Sequence, residues 1–486
     1  MARSHPQPYR GVLDLLPAES AARWRLVHCV RQVYERYGYL PLDTPCLERT
    51  EVLTREHGGV PGGEIFHWED PDGTSVGLRY ELTVSLARLV ATNQDLPRPF
   101  RRYQVGPCWR MDKPDMAFGR FREFMQFDID CVGTSTVVAD AELLAAQVEA
   151  FEALGVPRFQ VRVSSRKVLG ALVHRAGINR AREFEVLRVI DKLDKVGTAA
   201  VLQELGEGRV DASGDRIPGL GLPPEPIGTI ESFLQQARGP TRAATIEQVR
   251  AFLGAAPGAA EGLDELGTMA RAFEVLELDE ERIVFDLTVA RGLAYYTGPV
   301  FETQLLQLPR FGAVAAGGLY DGLVERFGGQ RIPGSGVSIG IDRLLAALRH
   351  LDQVPRGLDA AEVLVTVMDR SRRMDYLELA HGLRRAGLAT ELYVGTQKAL
   401  GKQLQYANRR GIPVVVIAGE TEFEVGTVTV KEMGEALVSG QEIDDHGEWR
   451  ARRFGQRTVP RSDLAATVRE ALEVHRDRQE GEPRSD

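Results

Sequence analysis

The chain is poor in cysteine. Its 486 residues include four, Cys29, Cys46, Cys108 and Cys131, and no two of them form a CxxC pair. That excludes a zinc ribbon or a disulfide scaffold and fits a reducing compartment. The nine histidines are scattered and form no HExxH, so a protein-held metal is not expected. No apolar run is long enough to span a bilayer, and the opening "MARSHPQPYRG" has no signal-like apolar core. A cytoplasmic protein with no membrane partner is the expectation. A GxxxxGK[ST] loop and a GxGxxG loop are both missing. "GGVPGGE" and "GGLYDGL" are glycine-rich without either pattern, so a nucleotide would have to be held another way. An excess of positive charge is lacking too: 60 Lys and Arg against 69 Asp and Glu leave a net charge of −9. Bulk attraction to nucleic acid is excluded, whereas a local basic face is not.

Apolar residues make up 43% and charged residues 27%, the balance of a soluble globular protein. The length predicts about two to four domains. Helical spacing of Leu26, Val30, Val33 and Tyr37 predicts a helix over 18–37, with Gly38 to end it. "FRRYQVGPCWRMD" and "FREFMQFDIDCVG" predict two antiparallel strands around the loop "KPDMAFGR". In the second, Phe124, Gln126, Asp128 and Asp130 share one face; Met125, Phe127, Ile129 and Cys131 share the other. A further helix is expected over 139–154. From about 166 to 280 the chain turns helical and Ala/Leu-rich, as a separate inserted module would be. Strand patterns return at "RIVFDLTVARGLAYYTGPVFETQLL" and "AVAAGGLYDGLVERF", and "GVSIGIDRLLAALRHL" reads as a strand running into a helix. After "DQVPRGLDA", short apolar strands alternate with helices, the pattern of a small α/β domain.

Three arginines, Arg110, Arg291 and Arg343, lie in or beside apolar strands, where a charge is costly without a partner. The rigid guanidinium fork grips phosphate and carboxylate bidentately. Taken singly, each also fits a structural ion pair. Gln126 and Asp130 on one strand face, and Glu81 and Thr83 on one face of "LRYELTV", suit an ammonium and a ring N–H. Tyr295 and Tyr296 suit a hydroxyl and a wall, or a packed core.

Together and in order, these stretches resemble class II histidyl-tRNA synthetase over nearly the whole chain. "YGYLPLDTPCLER" is similar to the dimer-forming first motif with its proline, Pro45; "WRMDKPDMAFGRFREF" to the second; "GVSIGIDRLL" to the third, with Asp342 in place of Glu. "ARGLAYYTGPVFE" and "AAGGLYDGLV" resemble stretches specific to the histidine enzyme. "LRYELTVSLAR", "FREFMQFDIDCVG", "DKLDKVG" and "GEGRVDASGD" lean toward its eukaryotic and alphaproteobacterial branch.

The resemblance implies an α+β catalytic domain on a mostly antiparallel sheet, with parts at 1–165 and 281–352. It also implies a helical insertion at 166–280, an α/β anticodon-binding domain at 360–440 and a polar tail at 441–486. It implies ligation of L-histidine to tRNA(His) through an adenylate, by a homodimer, with ATP and Mg²⁺. Arg110 would grip the α-phosphate, Arg343 the γ-phosphate, Phe124 would stack on adenine, and Asp112 stands at the family's adenine-side Glu. Arg291 would hold the histidine carboxylate together with the α-phosphate. Glu81, Thr83 and Gln126 would hold the α-amino group. Asp130 and Tyr296 would meet the two imidazole nitrogens, with Tyr295 beside them. Lys113, Arg409 and Arg410, and a tail cluster of Arg450, Arg452 and Arg453, would meet tRNA phosphates.

The chain departs from the family pattern at Ala294, where an acid precedes the twin tyrosines, and at Leu319, where Arg is usual. Phe121 replaces Tyr, and Asp130 replaces Glu as in the eukaryotic-like branch. The rival readings are a synthetase-like paralogue that senses histidine or regulates another enzyme, and a synthetase fold acting on another amino acid or carrier.

Overall fold

The structure is a computed structural model that describes residues 6–54, 64–156, 158–211, 214–290, 295–328, 330–354, 361–433 and 455–481. The chain divides into two compact units, Met1–Pro355 and Arg356–Asp486.

The first unit is built on an eight-stranded sheet. Its strands in chain order are β1 (Leu40–Pro41), β2 (Phe100–Trp109), β3 (Glu123–Val132), β4 (Phe159–Ser165), β5 (Ile283–Phe285), β6 (Pro299–Leu305), β7 (Ala313–Tyr320) and β8 (Gly334–Gly340). Across the sheet they run β1-β2-β3-β8-β7-β6-β4-β5. Only the two outermost pairings, β1 with β2 and β5 with β4, are parallel; the pairings between are antiparallel.

Helices cover one face. α1 (Pro17–Arg36) starts on a proline, whose missing N–H is not needed in the first turn. It buries Leu26, Val30, Val33 and Tyr34, and Gly38 takes the left-handed conformation just beyond it. α2 (Thr83–Thr92), which precedes β2, packs instead with Tyr295 and Tyr320 in a separate apolar cluster. α3 (Val137–Ala153) is capped by the Thr136 side chain, which accepts the Val138 N–H. α4 (Ile341–His350) follows β8 directly. Alternation along β3 separates the faces: Phe127 and Ile129 join the apolar cluster under α1, α3 and α4, whereas Gln126, Asp128 and Asp130 point the other way.

The helical segment lies between β4 and β5, which are neighbours in the sheet. Its six helices run from Arg166 to Val275, around a small hairpin of Gly208–Val210 and Arg216–Pro218. Their buried residues, Val186, Leu205, Phe233 and Phe273 among them, belong to the same apolar cluster as the sheet.

The second unit holds a five-stranded sheet: β9 (Val363–Val365), β10 (Thr390–Leu392), β11 (Val414–Ile417), β12 (Thr427–Glu432) and β13 (Gln456–Pro460), ordered β10-β9-β11-β12-β13. β9 is parallel to β10 and β11; β12 and β13 add antiparallel. The region expected as a polar tail thus supplies an edge strand and the helix Leu464–Gly481. Among its described side chains the helix buries Leu464, Thr467, Val468, Ala471 and Leu472 and exposes Arg469, Glu470 and Glu473. No helix among the described residues is long and apolar enough to cross a membrane.

Candidate active site

The site is built on the face of β2, β3 and β8 that the helices leave open. In register, Arg102 on β2 stands opposite Asp130 on β3, and Asp130 opposite Gly336 on β8. The Arg102 guanidinium lies 2.7 Å from Asp130 Oδ2, with the two side chains 0% and 2% exposed. The Tyr320 hydroxyl donates to Asp130 Oδ1 at 2.6 Å. Gln126 Nε2 donates to Ser338 Oγ at 2.9 Å.

Glycine makes this floor possible. A Cβ on Gly336 would sit 2.1 Å from Asp130 Oδ1, on Gly318 2.8 Å from the Tyr296 ring, and on Gly334 2.6 Å from the Tyr320 ring. The glycines of "GGLYDG" and "GSGVSIG" therefore let three polar side chains lie flat across two strands.

Glu81 and Thr83 are not on a strand. The chain turns into α2 at Thr83, because Val84, Leu86, Ala87 and Val90 bury one helical side. The Glu81 carboxylate accepts the backbone N–H groups of Thr83 at 2.6 Å and Val84 at 2.7 Å, closing the helix start. Arg79, just before, is buried and donates to the carbonyls of Thr44 and Pro107, each at 2.8 Å. Gly106 admits it: a Cβ there would lie 2.3 Å from Arg79 Nη2.

Burial raises the Glu81 carboxyl, and the Thr83 and Val84 bonds and Arg110 pull it back down. Asp128, between Gln126 and Asp130, is pushed up to about 7 by burial and by Asp130, against Arg102 and Ser338. Asp130 is raised by burial, against Arg102 and Tyr320. Burial, with Glu81 nearby, raises the hydroxyls of Tyr295 and Tyr296, so both remain protonated donors at neutral pH. Tyr295 hydrogen-bonds Thr83, and its ring lies 4.9 Å from that of Tyr296.

Arg110 follows β2. Its guanidinium lies 4.2 Å from the Tyr80 ring centre and 5.0 Å from that of Phe124, and its Nε donates to the Tyr80 carbonyl at 3.3 Å. The fork is thus held between two rings. Asp112 is exposed on the loop beyond, where its carbonyl accepts Arg122 Nε, and Lys113 is exposed beside it. Arg343 stands in the first turn of α4 and donates to the Phe311 carbonyl. A Cβ on Gly119 would lie 2.9 Å from Arg343 Cα, so the loop between β2 and β3 packs on this arginine. Asp342 accepts the Met125 N–H at 2.7 Å and pairs with Arg23 at 3.4 Å, tying α4 to β3 and α1.

The structure therefore gathers Glu81, Thr83, Gln126, Asp130, Tyr295 and Tyr296, with Arg110 near Glu81 and Phe124 against Arg110. Arg343 sits with Phe311 and Gly119. Arg291, Ala294 and the cluster of Arg450, Arg452 and Arg453 lie outside the described residues. In the second unit Arg409 and Arg410 are exposed, and Arg410 is 3.6 Å from Glu391. Leu319 is buried against Gly298. A cavity of about 260 Å³ is lined by Leu13, Arg23, Phe124, Met125, Asp342 and Arg349, at the Phe124 end of β3. Among the described residues no group of three His, Cys, Asp or Glu side chains is arranged to hold a metal.

A model described as "Histidyl-tRNA synthetase" matches residues 11–344 of the chain, and one described as "Anticodon binding domain" matches 362–470. The chain belongs to the histidyl-tRNA synthetase family. A protein named histidine–tRNA ligase from Cereibacter sphaeroides is 43% identical, over 97% of this chain and 98% of its own length. One of the same name from Paracoccus denitrificans is 42% identical, over 95% and 97%. The crystal structure of histidyl-tRNA synthetase from Nostoc sp. PCC 7120 superposes with a TM-score of 0.77 at 30% identity, covering 96% of this chain and all of that one. As in that family, the catalytic part has a helical insertion and a separate C-terminal unit.

Sequence reasoning singled out the acids and missed what holds them. Arg102, Tyr320, Ser338 and Arg79 were not candidates. For Arg102 a signal existed, because it shares the β2 face with Gln104 and faces Asp130 once the hairpin is paired.

Proposed function

We infer that this chain is a histidine–tRNA ligase, which activates histidine with ATP and passes it to tRNA(His). The observation that carries the reading is the front face of β3. Glu81, Gln126, Asp130 and Tyr296 converge there, in a chain that matches the family along both its catalytic and its anticodon-binding parts.

In the first step the histidine carboxylate oxygen bonds to the α-phosphorus of ATP as the bond to pyrophosphate breaks. Arg110 meets the α-phosphate with a fork already braced by Tyr80 and Phe124, so little reorganisation is needed as charge moves. Arg291 bridges the carboxylate and that phosphate, Arg343 meets the γ-phosphate, and Phe124 and Asp112 flank adenine. Mg²⁺ arrives with the ATP phosphates rather than in a protein cage. Glu81, Thr83 and Gln126 take the ammonium. Asp130 accepts from one imidazole nitrogen, and Tyr296, kept protonated, donates to the other.

In the second step the 3′-terminal hydroxyl of tRNA bonds to the activated carbonyl and AMP leaves. Lys113, Arg409 and Arg410 contact tRNA phosphates. A homodimer in the cytoplasm completes the reading.

The test is pyrophosphate exchange into ATP across the twenty amino acids, followed by charging of bulk tRNA. Exchange with histidine alone, and charging of tRNA(His), is expected. Absence of exchange defeats the enzyme reading; exchange without charging leaves a sensor or a carrier-charging protein.

A further inference from the structure

Arg102 is the largest fully buried side chain among the described residues, and its place in the site is unexplained by stability. A buried guanidinium costs several kcal/mol of desolvation, which a single carboxylate seldom offsets. Among the described residues its ionic partner is Asp130, and its Nε, Nη1 and Nη2, like Asp130 Oδ2, are buried with no hydrogen-bond partner. An apolar side chain would fill the same space at lower cost. We propose that Arg102 is a positioning residue for substrate recognition, holding the Asp130 carboxylate ionised and aimed as an acceptor for the imidazole N–H.

The geometry fixes Asp130 from three sides. Arg102 takes one oxygen at 2.7 Å and the Tyr320 hydroxyl takes the other at 2.6 Å. Gly336 closes the side toward β8. Oδ1 accepts from Tyr320 and is crowded by Gly336, whereas Oδ2 has no hydrogen-bond donor, so Oδ2 is the oxygen left to accept a new one.

Charge completes the argument. Asp128 and Asp130 share one buried face, and Arg102 is the cation between them. Asp128, pushed up to about 7, already holds a proton below neutrality; without Arg102, burial drives one onto Asp130 as well. A protonated carboxyl donates as well as accepts, and so no longer selects a ring N–H over a ring lone pair. Arg102 thus acts through Asp130 and touches no substrate.

This rests on Asp130 as the imidazole acceptor, and the experiment separates the two ideas. Steady-state pyrophosphate exchange is measured for Arg102→Met, Asp130→Asn and the double variant. Arg102→Met is expected to raise the histidine KM at least about tenfold and leave the ATP KM within about twofold. The double variant should match Asp130→Asn within about twofold, since one residue works through the other. An unchanged histidine KM in Asp130→Asn overturns the acceptor reading. A raised KM there with an unchanged KM in Arg102→Met overturns the Arg102 proposal alone. Should Arg102→Met not fold, the double variant, which removes both buried charges, still decides: a further tenfold loss beyond Asp130→Asn contradicts action through Asp130.

Discussion

The two faces of β3 sit one peptide apart and carry opposite chemistry. On the back, Phe127 packs edge-on against Tyr34, with ring centres 5.2 Å apart, and 5.6 Å from Tyr103, inside the main apolar cluster. On the front, Gln126, Asp128 and Asp130 are also buried but polar. Burying apolar area stabilises the fold. Burying two acids and an arginine costs stability that the same volume of leucine would not. A strand that does both is stabilised from one side and used from the other.

The largest effect that would break this comparison lies on the back. Phe127→Ala should cost about 3–5 kcal/mol, read as a lower denaturant midpoint, while the folded fraction keeps its histidine KM. A raised KM at unchanged stability would put function on the wrong face. Next comes the rim of the front. Arg110→Ala should slow histidine-dependent exchange by about 100- to 1000-fold with little change in melting temperature. A loss below about threefold would reduce Arg110 to a ring-stacking brace.

Third is pH. Asp128 is pushed up to about 7 from a usual carboxylate value, so the fold keeps a proton that the unfolded chain releases. Between roughly pH 4 and 7 the native state binds more protons, and stability falls as pH rises through that window. Asp128→Asn removes the titration. It should be more stable than wild type at pH 8, by on the order of 1–3 kcal/mol, with the gap closing toward pH 5. A gap independent of pH would mean that Asp128 is not held protonated by burial.

The smallest effect concerns Ala294 and Leu319, where an acid and an arginine are both missing. Leu319 is buried against Gly298, as an apolar replacement for one half of an ion pair would be. Ala294→Asp alone should be no better than wild type in exchange, and Ala294→Asp with Leu319→Arg should be tolerated. A large gain from the single acid would show that no compensation exists.

The alternation in "FREFMQFDIDCV" was legible without coordinates because a strand's period is set by its own backbone. So was the strand-to-helix passage through Gly340. What stayed hidden depends on partners far away in the chain. Tyr320 reaches Asp130 across 190 residues, and Gln126 reaches Ser338 across 212. No local pattern encodes the strand order that joins them. "LRYELTV" misled for a different reason: β-branched and apolar residues fit a strand, yet Glu81 supplies a carboxylate to the N–H groups that open a helix. The polarity of 456–481 hid an edge strand and a helix that buries Leu464, Val468, Ala471 and Leu472.

The most direct test of the front face as a histidine reader is the pair of KM values of Asp130→Asn in pyrophosphate exchange. A histidine KM raised at least about tenfold, with the ATP KM within about twofold of wild type, is the predicted result. Two KM values that stay together, whether both unchanged or both raised, would contradict it and leave Asp130 as half of a structural ion pair.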